Sequence, residues 1–571
     1  MTSEKSPLFV LGGDDAADRL DAVERHAVEA GGALRELRVA LPKSYEGSRR
    51  QRYPLLFVLD AEGLFGSAVE MSRLMSDTSE NRECIVVGLP DLGGDGSAEA
   101  AGRLAAMIGG EILAWCRERY RVEEDEVALY GCNAAAGVVL QALLGGVEGI
   151  GRFIAGEHDL ARASAVLRRF RDLPAERGAG RKLSITATGR AGEVDWQELG
   201  KALSKAAGGA AVSLRWQAGL GASTLAMPAL LDGLRSLWGT GKNYGDNVVP
   251  MGKRAVSGLL GLLSPVFRRL RRRPPTAFNP ANRQLLRAEQ MARNFEIFVS
   301  LPASYAPASL RRYPALLVLD ANIEFSTVAE AAARMAAAGE IAETIVIGIG
   351  TPRSEGPMEF AFRRFEEFSP PAPRAYACGD DLGRVFRSLF ALRGQDARRR
   401  LGRAPKFFRF IVDELLPLLQ RQLPIDAGDL GLLGHSAGGT FVGYALYRPD
   451  SPFRRYFAIS PGVGISDSWL LNHAQPGDMA PRAGLAVLTL GSLERDNAFN
   501  RMAGIDRTEE WGQRLREQRP ALELRCECLE GETHSSVYPR AVALSLRAGY
   551  AVASTVSDHV SDTAIGRPVA A

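Results

Sequence analysis

The chain has 571 residues, 46% of them apolar and 24% charged, with a formal net charge of +3. That length exceeds one ordinary domain and implies two to four. So small a charge gives no electrostatic footprint for nucleic acid, and six scattered cysteines make no disulfide framework.

The first twenty residues, MTSEKSPLFVLGGDDAADRL, lack the basic and long apolar regions of a signal peptide. With the sparse cysteines, this leads us to expect a cytoplasmic protein. The runs PLLFVLD (54–60), CIVVGLP (84–90) and EVALYG (126–131) read as buried strands.

The segment 37–65 lies over 297–325 at an offset of 260, with Asp60 against Asp320. The same offset carries CIVVGLP onto TIVIGIG (344–350). At Gly131 and Gly434 it has become 303, so the second copy holds 43 extra residues in between. Such a long period is a duplicated domain, not a solenoid. The two copies are expected at 1–240 and 281–555, with a linker at 241–280 and a flexible tail at 556–571. The linker contains RAVSGLLGLLSPVF and the basic RRLRRRPP. We read 253–273 as an interdomain helix with a solvated basic end, with contact to a membrane surface as the alternative; its apolar part is too short to span a bilayer.

In the second copy, PALLVLD, TIVIGI, GLLG, YFAIS, LAVLTLG and LRCECLEG alternate with helix-like stretches such as KFFRFIVDELLPLLQRQL (406–423). Alternation of this kind predicts a mostly parallel sheet covered by helices on both faces. Cys526 and Cys528 share one face of the last strand and are read as buried thiols, because no further metal ligands lie nearby.

Gly434-His435-Ser436-Ala437-Gly438 is a G-x-S-x-G between a strand and a helix, the context of a nucleophile elbow. A serine hydroxyl needs a base. Of the histidines beyond Ser436, His534 sits in a loop between strand and helix, whereas His473 and His559 are poorly placed. The loop after LAVLTLG offers Glu494 and, as second choice, Asp496 to orient the imidazole. The oxyanion hole is expected from the backbone N–H of Ala437 and of Asn322, with Ala321 close behind.

LPASY, RRYPALLVLDAN, RRFEEFSP, GLLGHSAGGTFVGYAL, FAISPGV, LTLGSLE and EGETHSSVYP occur in order along the second copy. Here the chain resembles the putative-esterase family of α/β-hydrolases, which includes enterochelin-type siderophore esterases, S-formylglutathione hydrolase and mycolyltransferases. The resemblance implies two tandem α/β-hydrolase domains with Ser436 as nucleophile, Glu494 as acid and His534 as base. RRFEEFSP resembles the family's Arg-x-x-Asp-x-Thr-Pro, with Arg364 matching and Glu367 replacing Asp. Arg364, Glu367 and His435 are the candidate substrate-binding residues. The arginine-rich insertion at about 351–405 suits a lid over a planar, anionic or catecholate-like ester. The expected activity is hydrolysis of a small-molecule ester or lactone, or acyl transfer from the same acyl-enzyme, without metal or cofactor; the third alternative is a non-catalytic scaffold with a vestigial centre.

The first copy has Asn133 where the second has Ser436, and Thr224 where it has His534. Gly192 falls opposite Glu494, with Glu193 and Asp195 nearby. Neither Asn nor Thr can take the vacated role. The first copy is therefore expected to be a pseudo-esterase, retained for packing, lid formation or partner binding.

Overall fold

The computed structural model describes residues 20, 23–90, 97–157, 180–188, 211–217, 220–241, 283–307, 310–371, 381–391 and 393–552. The expected linker beyond residue 241, its basic segment, the tail, Gly192, Glu193 and Asp195 lie outside the described residues. No helix among the described residues is long and apolar enough to cross a membrane.

The first half contributes β1 (Val23–Ala30), β2 (Ala33–Ala40), β3 (Tyr53–Val58), β4 (Ile85–Gly88), β5 (Val122–Cys132), β6 (Arg152–Glu157), β7 (Lys182–Ala187) and β8 (Ala211–Trp216). The second contributes β9 (Arg283–Ala288), β10 (Arg293–Ser300), β11 (Tyr313–Val318), β12 (Ile345–Gly350), β13 (Ile425–His435), β14 (Arg455–Ile459), β15 (Leu485–Gly491) and β16 (Glu523–Leu529). Each half forms one eight-stranded sheet, and the strand orders are the same: 1-2-4-3-5-6-7-8 and 9-10-12-11-13-14-15-16. In each sheet the first two pairings, β1–β2 and β2–β4 in one and β9–β10 and β10–β12 in the other, are antiparallel, and the remaining pairings are parallel. The apolar runs form central strands because both faces are covered: every residue of β3, β4, β12 and β15 is buried. Cys526 and Cys528 correct our expectation of buried thiols. They lie on the edge strand β16, one half-buried and the other exposed.

Four helices join the halves: α1 (Phe65–Asp77), α2 (Ala226–Trp238), α3 (Ala321–Ala337) and α4 (Val537–Tyr550). They pack on one another and on both sheets. Alternation along the strands divides the core accordingly. Leu56 and Val58 of β3, with Leu316 and Val318 of β11, join a central apolar cluster with Met71, Leu234, Val328 and Leu546. Leu55 and Phe57 belong to a cluster of the first half alone, and Ala315 and Leu317 to one of the second. The molecule is thus two sheets on a shared helical layer.

Two carboxylates lie inside that layer. Glu70 of α1 accepts from the backbone N–H groups of Ser326 and Thr327, both at 2.8 Å. Glu330 of α3 accepts from those of Gly66 and Ser67, at 2.9 and 2.8 Å. Every partner is displaced by 260 residues from its counterpart, so the exchange is reciprocal, as across a twofold axis. Burial pushes Glu70 up to about 7.

Candidate active site

β13 ends at His435 and α5 (Ala437–Leu446) begins at Ala437, leaving Ser436 alone at the turn. Its backbone has φ 58° and ψ −119°, a strained conformation for a residue with a side chain. Gly434 makes the turn possible: a Cβ there would come within 2.5 Å of the Gly438 carbonyl carbon. Ser436 is half-buried. The first half keeps the strained turn without the serine. Asn133 has φ 55°, and a Cβ on Gly131 would meet the Ala135 carbonyl oxygen at 2.5 Å. Asn tolerates this region better than most residues, and its amide donates to the Ala222 carbonyl at 2.9 Å.

His534 lies in the loop between β16 and α4, and Glu494 lies just past the end of β15. The His534 Nδ1–H donates to Glu494 Oε2 at 3.1 Å. Glu494 is fully buried, and its Oε1 accepts from the Ser460 hydroxyl at 2.6 Å and the Gly491 N–H at 2.9 Å. Asp496, two residues on, is exposed. The His534 ring packs on that of His435, the neighbour of Ser436, with centroids 4.7 Å apart. His473 is bonded instead to Asp467 at 2.8 Å, and His559 lies outside the described residues.

β11 and β13 are adjacent parallel strands, so the helices that follow them, α3 and α5, start side by side. Asn322 and Ala437 therefore lie in neighbouring opening turns, where backbone N–H groups have no intrahelical acceptor. The Asn322 side chain is clipped to Thr351, donating to its carbonyl at 2.8 Å and accepting from its N–H at 2.7 Å.

No model of a known protein family matches the chain. Over 272 residues, 45% of its length, the chain is 28% identical to the ferri-bacillibactin esterase BesA of Bacillus subtilis, 84% of which is covered. It is 24% identical over 218 residues to the apo-salmochelin esterase of Escherichia coli O6:H1, and that match spans 61% of the relative. The chain is thus similar, over a little under half of its length, to named siderophore esterases. Among solved structures, the BES protein from Bacillus cereus shares 25% identity at a TM-score of 0.38, covering 49% of this chain and 99% of that one.

In this chain a buried polar layer underlies the serine turn, and two residues expected to bind substrate are built into the scaffold instead. His435 is 3% exposed and bonds through Nδ1 to Glu324 Oε1 at 3.0 Å. It packs behind Ser436, because side chains on a strand alternate between faces. Glu367 is buried between Arg363 Nε at 3.0 Å and Arg293 at 2.9 Å. Next to it Glu366 takes Arg293 and Arg400. These pairs fasten the insertion helix α6 (Gly356–Phe368) to β10. Arg364 keeps a partly exposed side chain, and its Nε donates to Asp320 Oδ1 at 2.7 Å.

Burial pushes Glu324 up to about 8 and Asp320 up to about 6, the latter opposed by Arg364. Burial, then the neighbouring His534, drives His435 down to about 3. Burial thus disfavours the charged form of both members of the Glu324–His435 pair. Sequence reasoning missed Ser460, Asp320 and Glu324 as parts of the site. The available signal was position: Ser460 follows β14, and Asp320 follows β11, at the same sheet edge as Ser436.

Proposed function

We propose that the chain is a serine esterase that hydrolyses a carboxylic ester or lactone through an acyl-enzyme. The Ser436 oxygen attacks the carbonyl carbon, and His534 Nε2 takes the hydroxyl proton. Glu494 holds Nδ1–H and stabilises the imidazolium. The amides of Ala437 and Asn322 bind the oxyanion. His534 returns the proton to the leaving alcohol, and water, activated by the same imidazole, releases the acyl group. The observation that carries this reading is the buried Glu494–His534 hydrogen bond beside a strained serine turn. The named siderophore esterases among the relatives support a siderophore-type polyester or lactone as substrate. Arg364 at the insertion helix would face its anionic or catecholate groups.

A fluorophosphonate probe is expected to label Ser436 stoichiometrically, and S436A to lose both labelling and ester hydrolysis. N133S is expected to restore neither, since its loop carries Thr224 in place of a base. Turnover of siderophore lactones by the wild type, followed by chromatography, tests the substrate class. Residual hydrolysis by S436A would refute the assignment.

A further inference from the structure

The first half holds the loop that carries His534. Thr533 donates to Glu80 Oε2 at 2.7 Å, and Arg235 of α2 donates to Thr533 Oγ1 at 3.0 Å and bonds to Ser536. Ser535 donates to Thr78 Oγ1 at 3.2 Å. Arg215 donates to the Gly531 carbonyl at 3.3 Å. A Cβ on Gly531, whose φ is +71°, would lie 2.3 Å from that guanidinium. From 531 to 536, the residues around His534 thus touch the first half, while His534 itself turns to Glu494 in the second. Glu80 is 3% exposed, so its carboxylate is committed to this contact and not to solvent.

The same device recurs on the other side of the pseudo-twofold. Ser223, beside Thr224, donates to Glu340, which also accepts from Arg547 at 2.7 Å. Glu340 matches Glu80 at the offset of 260. There the clamped loop carries no base.

We propose that Glu80 and Arg235 of the first half are positioning residues for His534, so that the pseudo-esterase acts as a built-in support for the second half's general base. This rests on the assignment of His534 as that base. A loop free to shift by about an ångström loses the hydrogen-bond geometry that proton transfer requires, and displacements of that size reduce rates by about 100-fold.

The test uses the full chain and a chromogenic acyl ester. E80A is expected to lower kcat about 10- to 100-fold with KM changed less than about twofold, and to slow fluorophosphonate labelling of Ser436 in parallel. E80Q, whose amide oxygen can still accept from Thr533, is expected to recover most of the rate. E340A breaks the equivalent contact at the vacant site and is expected to keep wild-type kcat while shifting the melting temperature as E80A does. Should E80A fail to fold, T533V removes the same hydrogen bond from within the loop and is read the same way. Equal losses of kcat in E80A and E340A, or wild-type kcat in both, would overturn the proposal. H534A separates the two readings: full activity there would sink the base assignment itself, whereas an inactive H534A beside a fully active E80A would sink the positioning role alone.

Discussion

Replacing Glu494 by glutamine changes one atom of a buried carboxylate, and the surrounding bonds dictate which one. Oε1 accepts from both Ser460 and the Gly491 N–H, so the amide oxygen must take that site. The amide NH2 then faces His534 Nδ1, where the carboxylate oxygen stood 3.1 Å away. Two donors cannot share that contact, so the imidazole must place its proton on Nε2 and present a bare Nδ1 to the amide. A ring protonated at Nε2 cannot accept the Ser436 proton. A wrong tautomer in an otherwise intact triad reduces kcat by about 10⁴-fold, or about 5 kcal/mol of transition-state stabilisation. Initial rates on a chromogenic ester, with circular dichroism to verify folding, measure this directly. D496N serves as control and is expected to match wild type, because Asp496 is exposed. An E494Q enzyme retaining more than about a tenth of wild-type kcat would refute the reasoning.

The remaining predictions concern the scaffold. E70A leaves two buried backbone N–H groups without their acceptor, at about 1–3 kcal/mol each. Urea unfolding should show a loss of about 2–6 kcal/mol, and a loss below about 1 kcal/mol would contradict the packing described. Glu324 is held protonated well above its ordinary range, up to about 8. Its contribution to stability is therefore complete below the unfolded-chain value and is lost as pH rises through the folded one. Denaturant midpoints between roughly pH 4.5 and 8 should fall less steeply in E324Q than in wild type, and identical profiles would remove Glu324 from the account. G434A forces a methyl into the Gly438 backbone and should abolish activity, whereas G131A, at the vacant turn, should lower the melting temperature but leave kcat intact.

The internal repeat, the strand runs and the serine turn could all be read from the sequence because each leaves a local pattern. Small residues mark a tight turn, and apolar runs mark strands buried on two faces. The choice between Glu494 and Asp496 could not be read, because both are acidic residues on one loop. Only the path of the chain after Gly491 decides which one turns inward. Glu367 was misjudged for a similar reason. A motif shows that a carboxylate is present, but Arg363 and Arg293, one of them 74 residues distant, determine that it is paired inside the scaffold. Glu70 and Glu330 look like solvated positions on amphipathic helices. Their signal was the presence of Glu at positions matched by the offset of 260.

The mutual grip of Glu70 and Glu330 has a consequence for how the two halves can change over time. On separate identical chains this arrangement would form a symmetric dimer, dependent on concentration, in which any altered residue appears at both sites at once. Joined in one polypeptide, the halves meet at a high effective concentration that dilution does not lower. One half can then carry Asn133 and Thr224 where the other carries Ser436 and His534, while each keeps a permanent neighbour.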